Sequence, residues 1–112
     1  ALKDADVFVG LSDANVITGD DIKVMHDKPI VFALANPVPE IDPKLAKDNG
    51  AYIIGTGSGK YPNQVNNVLA FPGLFKGLLQ RRDIKHVSSD LKIQIAKGIA
   101  NLTTSLDHCR CI

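Results

Sequence analysis

The segment GTGSGKYPNQVNN, residues 55–67, combines three glycines and a lysine with a cluster of side-chain amides. A glycine-rich loop that ends in lysine is typical of a phosphate site, because its backbone N–H groups can surround an anion. Side-chain amides offer donors and acceptors without charge, so they suit a hydroxyl or carboxylate on a small polar ligand. The segment therefore raises two alternatives, a phosphate loop and an amide-lined polar site.

The phosphate-loop pattern G-x-x-x-x-G-K-[ST] is not met by this segment. If Gly59 and Lys60 supplied its Gly-Lys pair, the first glycine would fall at Ile54. The hydroxyl position holds Tyr61, and Pro62 removes a backbone donor near the start of the next helix. The dinucleotide pattern G-x-G-x-x-G fails too, because these glycines are spaced by two. The segment is therefore predicted to be neither a phosphate loop nor a dinucleotide-binding loop.

The amides Asn63, Asn66 and Asn67 have the spacing i, i+3, i+4, which predicts one face of a short helix over PNQVNNVLA. On that face they would meet a hydroxyl and a carboxylate of a small substrate. The alternative is that Asn66 or Asn67 only satisfies loop carbonyls. The residues alone leave both interpretations open.

The elements that must position these amides follow from three short apolar runs, which predict buried strands at 6–11, 29–34 and 51–55. Helices are predicted between them, with Thr18 and Asp42 as N-caps. Strand, helix, strand, helix, strand with short connections predicts an α/β fold with a parallel sheet. The loops 10–15, 33–40 and 55–63 then share the carboxyl edge of the sheet, where ligands bind in such folds.

The second part of the sequence is predicted to be helical. LFKGLLQRR is one predicted helix, and the longest one is capped by Ser89 or Asp90. Its apolar residues share one face and are expected to be core: Leu91, Ile95, Ile99, Leu102 and Leu106.

Composition excludes several functional classes. A net charge of +1 on 112 residues gives no strong positive potential that would attract nucleic acid. No apolar run has the length of a membrane span, and the N-terminus does not resemble a signal peptide, so we expect a cytoplasmic protein. His108, Cys109 and Cys111 lie in the tail HCRCI, but there is no second ligand pair for a zinc site. We expect a reducible tail without a metal.

Two long motifs, PIVFALANPVPEIDP and YPNQVNNVLAFPGLFKG, resemble malic enzyme, and the resemblance extends from ADVFVGLS to DLKIQIAKGIA. It implies the C-terminal half of a Rossmann-like NAD(P)-binding domain with about three strands at 1–85, followed by a closing C-terminal helix and tail at 86–112. It also implies oxidative decarboxylation of malate to pyruvate and CO2 with reduction of NAD(P)+, in a parent enzyme that is a homodimer.

The resemblance also implies roles for particular residues. Asn36, Asn66 and Asn67 match substrate-binding asparagines, and Asn36 and Asn67 also reach the cofactor. The remaining cofactor-binding residues it implies line the first two strand ends: Gly10, Leu11, Ser12, Leu34 and Ala35.

The family's catalytic tyrosine and lysine, and its ligands for Mg2+ or Mn2+, match no position here. We therefore expect no catalytic residue and no metal ligand in this chain, and we expect it to be inactive alone. The segment Ser58-Gly59-Lys60 departs from the Arg-Ser-Asp common in the family. The residue that selects NAD or NADP is also absent, so both cofactors stay open.

Two other functions remain as alternatives. One is a free-standing, non-catalytic half-domain that binds a nucleotide or a partner chain. The other is an enzyme of unrelated chemistry that uses Lys60, although no paired base or carboxylate lies near it in the sequence.

Overall fold

The computed structural model of the chain describes residues 1–102. The described residues form three strands, four α-helices and one short 3-10 helix. In chain order these are β1 (Val7–Gly10), α1 (Gly19–Lys23), β2 (Ile30–Ala33), α2 (Pro43–Asp48), β3 (Ile53–Thr56), the 3-10 helix (Asn67–Leu69), α3 (Phe71–Gln80) and α4 (Ser89–Ala100).

The three strands form one parallel sheet in the order β1-β2-β3. Val7 lies opposite Ile30, and Ile30 lies opposite Ile53, so the strands start nearly level. Parallel strands joined by helical crossovers place all their carboxyl ends at one edge. This arrangement confirms the predicted α/β class and its Rossmann-like sheet.

The two crossover helices begin where the sequence predicts. At α1 the Thr18 hydroxyl accepts from the Asp21 backbone N–H, and the Asp21 carboxylate accepts in return from Thr18, a reciprocal capping box. At α2 the Asp42 carboxylate accepts from the N–H groups of Lys44 and Leu45, and Pro43 occupies the first turn. These caps fix both helix starts although the helices are only five and six residues long.

The described chain falls into two compact units, Ala1–Asn66 and the part from Asn67 onward. The first unit holds the sheet, α1 and α2. Its core is an apolar cluster between the sheet and these two helices: Ile22, Met25, Val31, Ala33, Ile41, Ala46 and Ala51. The predicted limit of the cofactor domain at residue 85 concerns the family's domain, and it stays a prediction.

The second unit contains α3 and α4, and both helices begin earlier than the sequence predicts. Phe71 begins α3, with Pro72 in its first turn, so this helix starts three residues before the predicted LFKGLLQRR, which begins at Leu74. Ser88 caps α4, its hydroxyl accepting from the Leu91 N–H, so the cap lies one residue before the two predicted candidates, Ser89 and Asp90. A serine one position earlier satisfies the same orphan backbone donors.

The expectation that the apolar stripe of α4 is core was wrong for the described residues. No residue of α3 or α4 is buried. An open groove of about 470 Å³ lies between these helices, lined among others by Leu74, Leu78, Leu91 and Ile95. The spacing of the apolar residues identified which side of each helix faces the groove. Two helices cannot bury that side by themselves.

Parts of two predictions lie outside the described residues. They are the end of the α4 stripe at Leu106 and the tail with His108, Cys109 and Cys111. Within the described part, no helix has both the length and the apolarity needed to cross a bilayer.

Candidate ligand site at the carboxyl edge of the sheet

The loops that leave the three strands pack against one another through backbone groups. The Leu34 N–H donates to the Gly10 carbonyl oxygen at 3.1 Å, which joins the ends of β1 and β2. A Cβ on Gly57 would lie 2.6 Å from the Leu34 carbonyl oxygen, closer than real Cβ contacts come. Only glycine therefore permits the loop after β3 to approach the loop after β2 this closely.

Two of the predicted substrate-binding amides meet at this edge. The Nδ2 atoms of Asn36 and Asn66 both approach the Gly57 carbonyl oxygen, at 3.4 and 3.2 Å. Asn36 is exposed and Asn66 is half-buried. The structure thus brings together two side chains that are 30 residues apart in the sequence. The Asn66 bond is also the one that the alternative interpretation expected, since it satisfies a loop carbonyl.

The prediction that Asn63, Asn66 and Asn67 share a helix face was wrong. Asn63 has a left-handed backbone with φ of 59° and is buried, and its Nδ2 donates to the Ile54 carbonyl oxygen at 3.0 Å. The next residues run beside β3, where Gln64 forms a parallel bridge with Thr56. The Val65 N–H donates to the Thr56 carbonyl oxygen at 2.7 Å. The strand edge competes for the backbone groups that a helix would have used.

Asn67 begins the second unit and is the first residue of the 3-10 helix. Its side chain is exposed, and its carbonyl oxygen accepts from the Ala70 N–H at 3.0 Å. Its predicted role toward substrate and cofactor stays a prediction.

The glycine-rich segment folds onto its own groups. The Thr56 hydroxyl donates to the Ser58 carbonyl oxygen at 3.1 Å, and the Lys60 N–H donates to the Ser58 hydroxyl at 3.3 Å. Lys60 is exposed and Tyr61 is half-buried. Ser58 therefore forms a local turn that uses one of the backbone donors a phosphate loop would need.

The residues predicted to line a cofactor from the first strand end differ in accessibility. Gly10 is buried, whereas Leu11 is 78% exposed and Ser12 is exposed. On the second loop, Leu34 is half-buried and Ala35 is buried. Exposed Leu11 is an apolar side chain without cover in the described structure.

Sequence reasoning missed one residue of this edge, Glu40. Its side chain is completely buried, and its two carboxyl oxygens accept from the backbone N–H groups of Ser12 and Ala35, each at 3.0 Å. Acidic side chains are seldom fully buried, so composition gives no reason to expect this. The one signal available is that Glu40 is the only glutamate among the 112 residues.

The ionisable groups of the described part with displaced pKa values are not among the predicted site residues. Two hydrogen bonds to the Asp21 carboxylate lower its pKa. The larger effect comes from the Thr18 hydroxyl and the smaller one from the Thr18 backbone N–H. Hydrogen bonding from Arg81 lowers the pKa of Asp83. In residues 1–102 no group of three His, Cys, Asp or Glu side chains could hold a metal ion. The groups that meet at this edge include backbone carbonyl oxygens and the side-chain amides of Asn36 and Asn66.

Comparison with known proteins assigns this chain to a family. Residues 3–110 match the sequence model described as "Malic enzyme, NAD binding domain". The chain is 48% identical over 101 residues to the bifunctional malic/malolactic enzyme of Bacillus subtilis. The alignment covers 90% of this chain and 24% of that protein. It is 45% identical over 103 residues to the NADP-dependent malic enzyme of Halomonas elongata, covering 91% of this chain and 24% of the relative.

Solved structures agree with the sequence relatives. The NAD-dependent malic enzyme of Thermotoga maritima superposes with a TM-score of 0.92 at 44% identity, over 99% of this chain and 29% of that one. The malic enzyme of Pyrococcus horikoshii superposes with a TM-score of 0.86 at 46% identity, over 92% of this chain and 24% of that one. The chain thus spans about a quarter of the length of these proteins. Because the family model covers nearly all of it, this chain belongs to the malic enzyme NAD-binding domain family.

Proposed function

We propose that this chain serves as the C-terminal half of the NAD(P)-binding domain in a longer malic enzyme, which converts malate to pyruvate and CO2 while reducing NAD(P)+. The observation that carries the proposal is the family match over residues 3–110. The short coverage of the relatives, 24% for Bacillus subtilis, supports a contributing segment and not a complete enzyme. The chain alone is therefore expected to be inactive.

The chemistry of the donor set supports the nicotinamide end of the cofactor as the ligand of this edge. A nicotinamide carries a carboxamide and its ribose carries hydroxyls, and these groups pair with amides and backbone carbonyls. Asn36 and the loop ends 10–12 and 34–36 supply such groups. Both NAD and NADP suit them, since the relatives include enzymes named for each cofactor.

In this proposal the asparagines orient the substrate and do not make or break bonds. Asn36 and Asn66 approach the same Gly57 carbonyl oxygen, so a ligand that reaches one amide lies near the other. Asn67 follows directly in the chain and would hold malate and the cofactor ribose. NAD(P)+, when bound, supplies the hydride acceptor, and accurate placement of the hydroxyl-bearing carbon toward it is what these amides contribute.

The described residues do not fit a metal site, because residues 1–102 hold no suitable cluster. We place the ligands for Mg2+ or Mn2+, and the general acid and base, in parts of the enzyme outside this chain. The proposal also includes a homodimeric parent enzyme in the cytoplasm. Sedimentation of the complete enzyme would measure its oligomeric state.

The test is a malate oxidation assay on the complete polypeptide that carries these residues, with a divalent cation and each cofactor in turn. Asn67→Ala should lower kcat/KM for malate roughly 5- to 150-fold, the equivalent of about 1–3 kcal/mol for one lost hydrogen-bonding amide. Asn66→Ala should act similarly. Asn101→Ala, an exposed asparagine after α4, is the matched control and should change kcat/KM less than twofold.

Unchanged kinetics in both site variants would remove the proposed roles of these asparagines. The free-standing alternative is tested with the 112-residue chain alone, by calorimetric titration with NAD+ and NADP+. Binding at micromolar affinity without any longer parent polypeptide in the cell would favour that alternative. The family match favours the enzyme segment.

A further inference from the structure

Glu40 is an ionisable side chain with no access to solvent and with both carboxyl oxygens engaged. Its exposure is 0%, and Oε1 and Oε2 accept from the backbone N–H groups of Ser12 and Ala35, each at 3.0 Å. Burial of a carboxyl group is costly unless hydrogen bonds replace its water. Among the ion pairs of residues 1–102, none involves Glu40. Two backbone donors on separate loops therefore hold this group.

Those two loops are the ends of β1 and β2. A Cβ on Gly10 would lie 2.5 Å from both the carboxyl carbon and Oε1 of Glu40, so the carboxyl group fits only against a glycine. The backbone beside it extends the same connection, because the carbonyl oxygens of Pro39 and Glu40 accept from the N–H groups of Asn15 and Ile17 at 3.1 and 3.2 Å. Glu40, together with the carbonyl group of Pro39, thus connects the segment 10–17 to the segment 33–36.

We infer that Glu40 is a positioning residue, which sets the separation of the two loops proposed to hold the nicotinamide end of the cofactor. The inference rests on the proposed function. Ala35 directly precedes Asn36, so a displaced Ala35 N–H would displace the Asn36 amide as well. Glu40 touches neither substrate nor cofactor in this account, and it acts through Ser12 and Ala35.

The informative variant is Glu40→Gln, which keeps the shape of the side chain. A glutamine offers one oxygen and one NH2 group, so one of the two backbone N–H groups loses its acceptor in either amide orientation. The control is Asp48→Asn, which makes the same carboxyl-to-amide change at the exposed end of α2, where Asp48 pairs with Lys44 at 3.0 Å.

Both variants are made in the complete polypeptide and assayed for malate oxidation well below their melting temperatures. Glu40→Gln should lower kcat/KM for the cofactor at least tenfold, mainly through KM, whereas Asp48→Asn should stay within twofold of the parent. A lower melting temperature with unchanged kcat and KM would mean that Glu40 serves stability alone, and would overturn the inference.

A second measurement does not need activity. Amide hydrogen exchange of this chain, read by NMR, should show the Ser12 and Ala35 N–H groups protected in the wild type. At least one of the two, the N–H group left facing the glutamine NH2, should exchange at least tenfold faster in Glu40→Gln. The Asn49 N–H, bonded to the Leu45 carbonyl oxygen at the end of α2, should keep its rate. If Ser12 exchanges in the wild type as fast as an unprotected amide, the carboxyl group does not hold the loop, and the inference fails.

The two measurements separate the inference from the proposed function. A wild-type complete polypeptide without malate oxidation would reject the proposed function, while the exchange rates would still decide whether Glu40 joins the loops. Slow exchange and an active wild type, combined with normal kinetics in Glu40→Gln, would reject the inference and leave the proposed function intact.

Discussion

The two compact units use similar apolar side chains with different results. In the first unit, Ile22, Val31 and Ile41 are at most 2% exposed, because a sheet and two helices enclose them. In the second unit, Phe75 is 56% and Leu79 is 75% exposed on a helix with comparable apolar content. Hydrophobic spacing determines which side of an element is apolar, and the number of packed layers determines whether that side is covered.

The largest expected contrast lies in truncating one apolar side chain in each unit. Ile41→Ala should lower the free energy of unfolding of this chain by about 2–5 kcal/mol, because it leaves a cavity in a closed core. Leu79→Ala should change it by less than about 0.5 kcal/mol, because Leu79 is exposed. Urea denaturation followed by circular dichroism measures both. An equal loss in the two variants would mean that the second unit is covered in solution, for example by self-association.

A glycine substitution in the first unit comes next in size. Gly57→Ala places a methyl group against the backbone carbonyl of Leu34, which cannot move aside as a side chain can, and should cost about 1–3 kcal/mol. Gly59→Ala is the control, since its nearest neighbour is the flexible Gln64 side chain at 3.4 Å. The two melting temperatures are compared. If Gly57→Ala melts like Gly59→Ala, the loops after β2 and β3 are not in close contact.

The same substitution should have the opposite sign in the second unit. A Cβ on Gly98 meets nothing within 4 Å, and Gly98 lies inside α4. Gly98→Ala should therefore stabilise the helix by about 0.5–1 kcal/mol through helix propensity. Helical ellipticity at 222 nm during heating measures the gain. A loss of stability would instead indicate that another helix packs against Gly98.

The smallest expected effect is on the melting temperature at acidic pH. The Thr18 hydroxyl lowers the pKa of Asp21 in the folded state, so this interaction stabilises the protein above the ordinary carboxyl pKa of 3.8 and is lost as pH falls through the lower folded value. Asp21→Asn should flatten the fall in melting temperature below about pH 4. In the second unit, Asp83→Asn removes the pair with Arg81 and should leave melting of the sheet unchanged. If Asp83→Asn lowers the melting temperature of the sheet, the two units unfold together.

Much of the first unit was predictable because its signals are local. Thr18 and Asp42 satisfy the backbone donors of the turn that follows them, and three apolar runs bounded by turn residues mark the strands. Family resemblance placed Asn36 and Asn66 in one site, and the structure brings both to the Gly57 carbonyl oxygen. Their roles toward ligands stay predictions.

The misses have a common physical origin in contacts between distant residues. Gln64 and Val65 pair with β3, so the spacing of the asparagines did not form a helix face. Glu40 is buried because two loops 23 residues apart, at Ser12 and Ala35, both present donors to it. Neither the pairing partner nor the donors can be read from the residues next to them in the sequence.

The sheet has two edge strands, β1 and β3, and the pairing of residues 64 and 65 with Thr56 covers part of the outer side of β3 only. On the β3 side, the chain's own backbone takes up hydrogen-bonding groups of the last strand residue. On the β1 side, no further strand is paired within residues 1–102. Exposed strand margins template the addition of other strands and hence aggregation. Precipitation of this chain when it is expressed alone would therefore proceed from Val7–Gly10, and a lysine or proline introduced along that margin should improve its solubility.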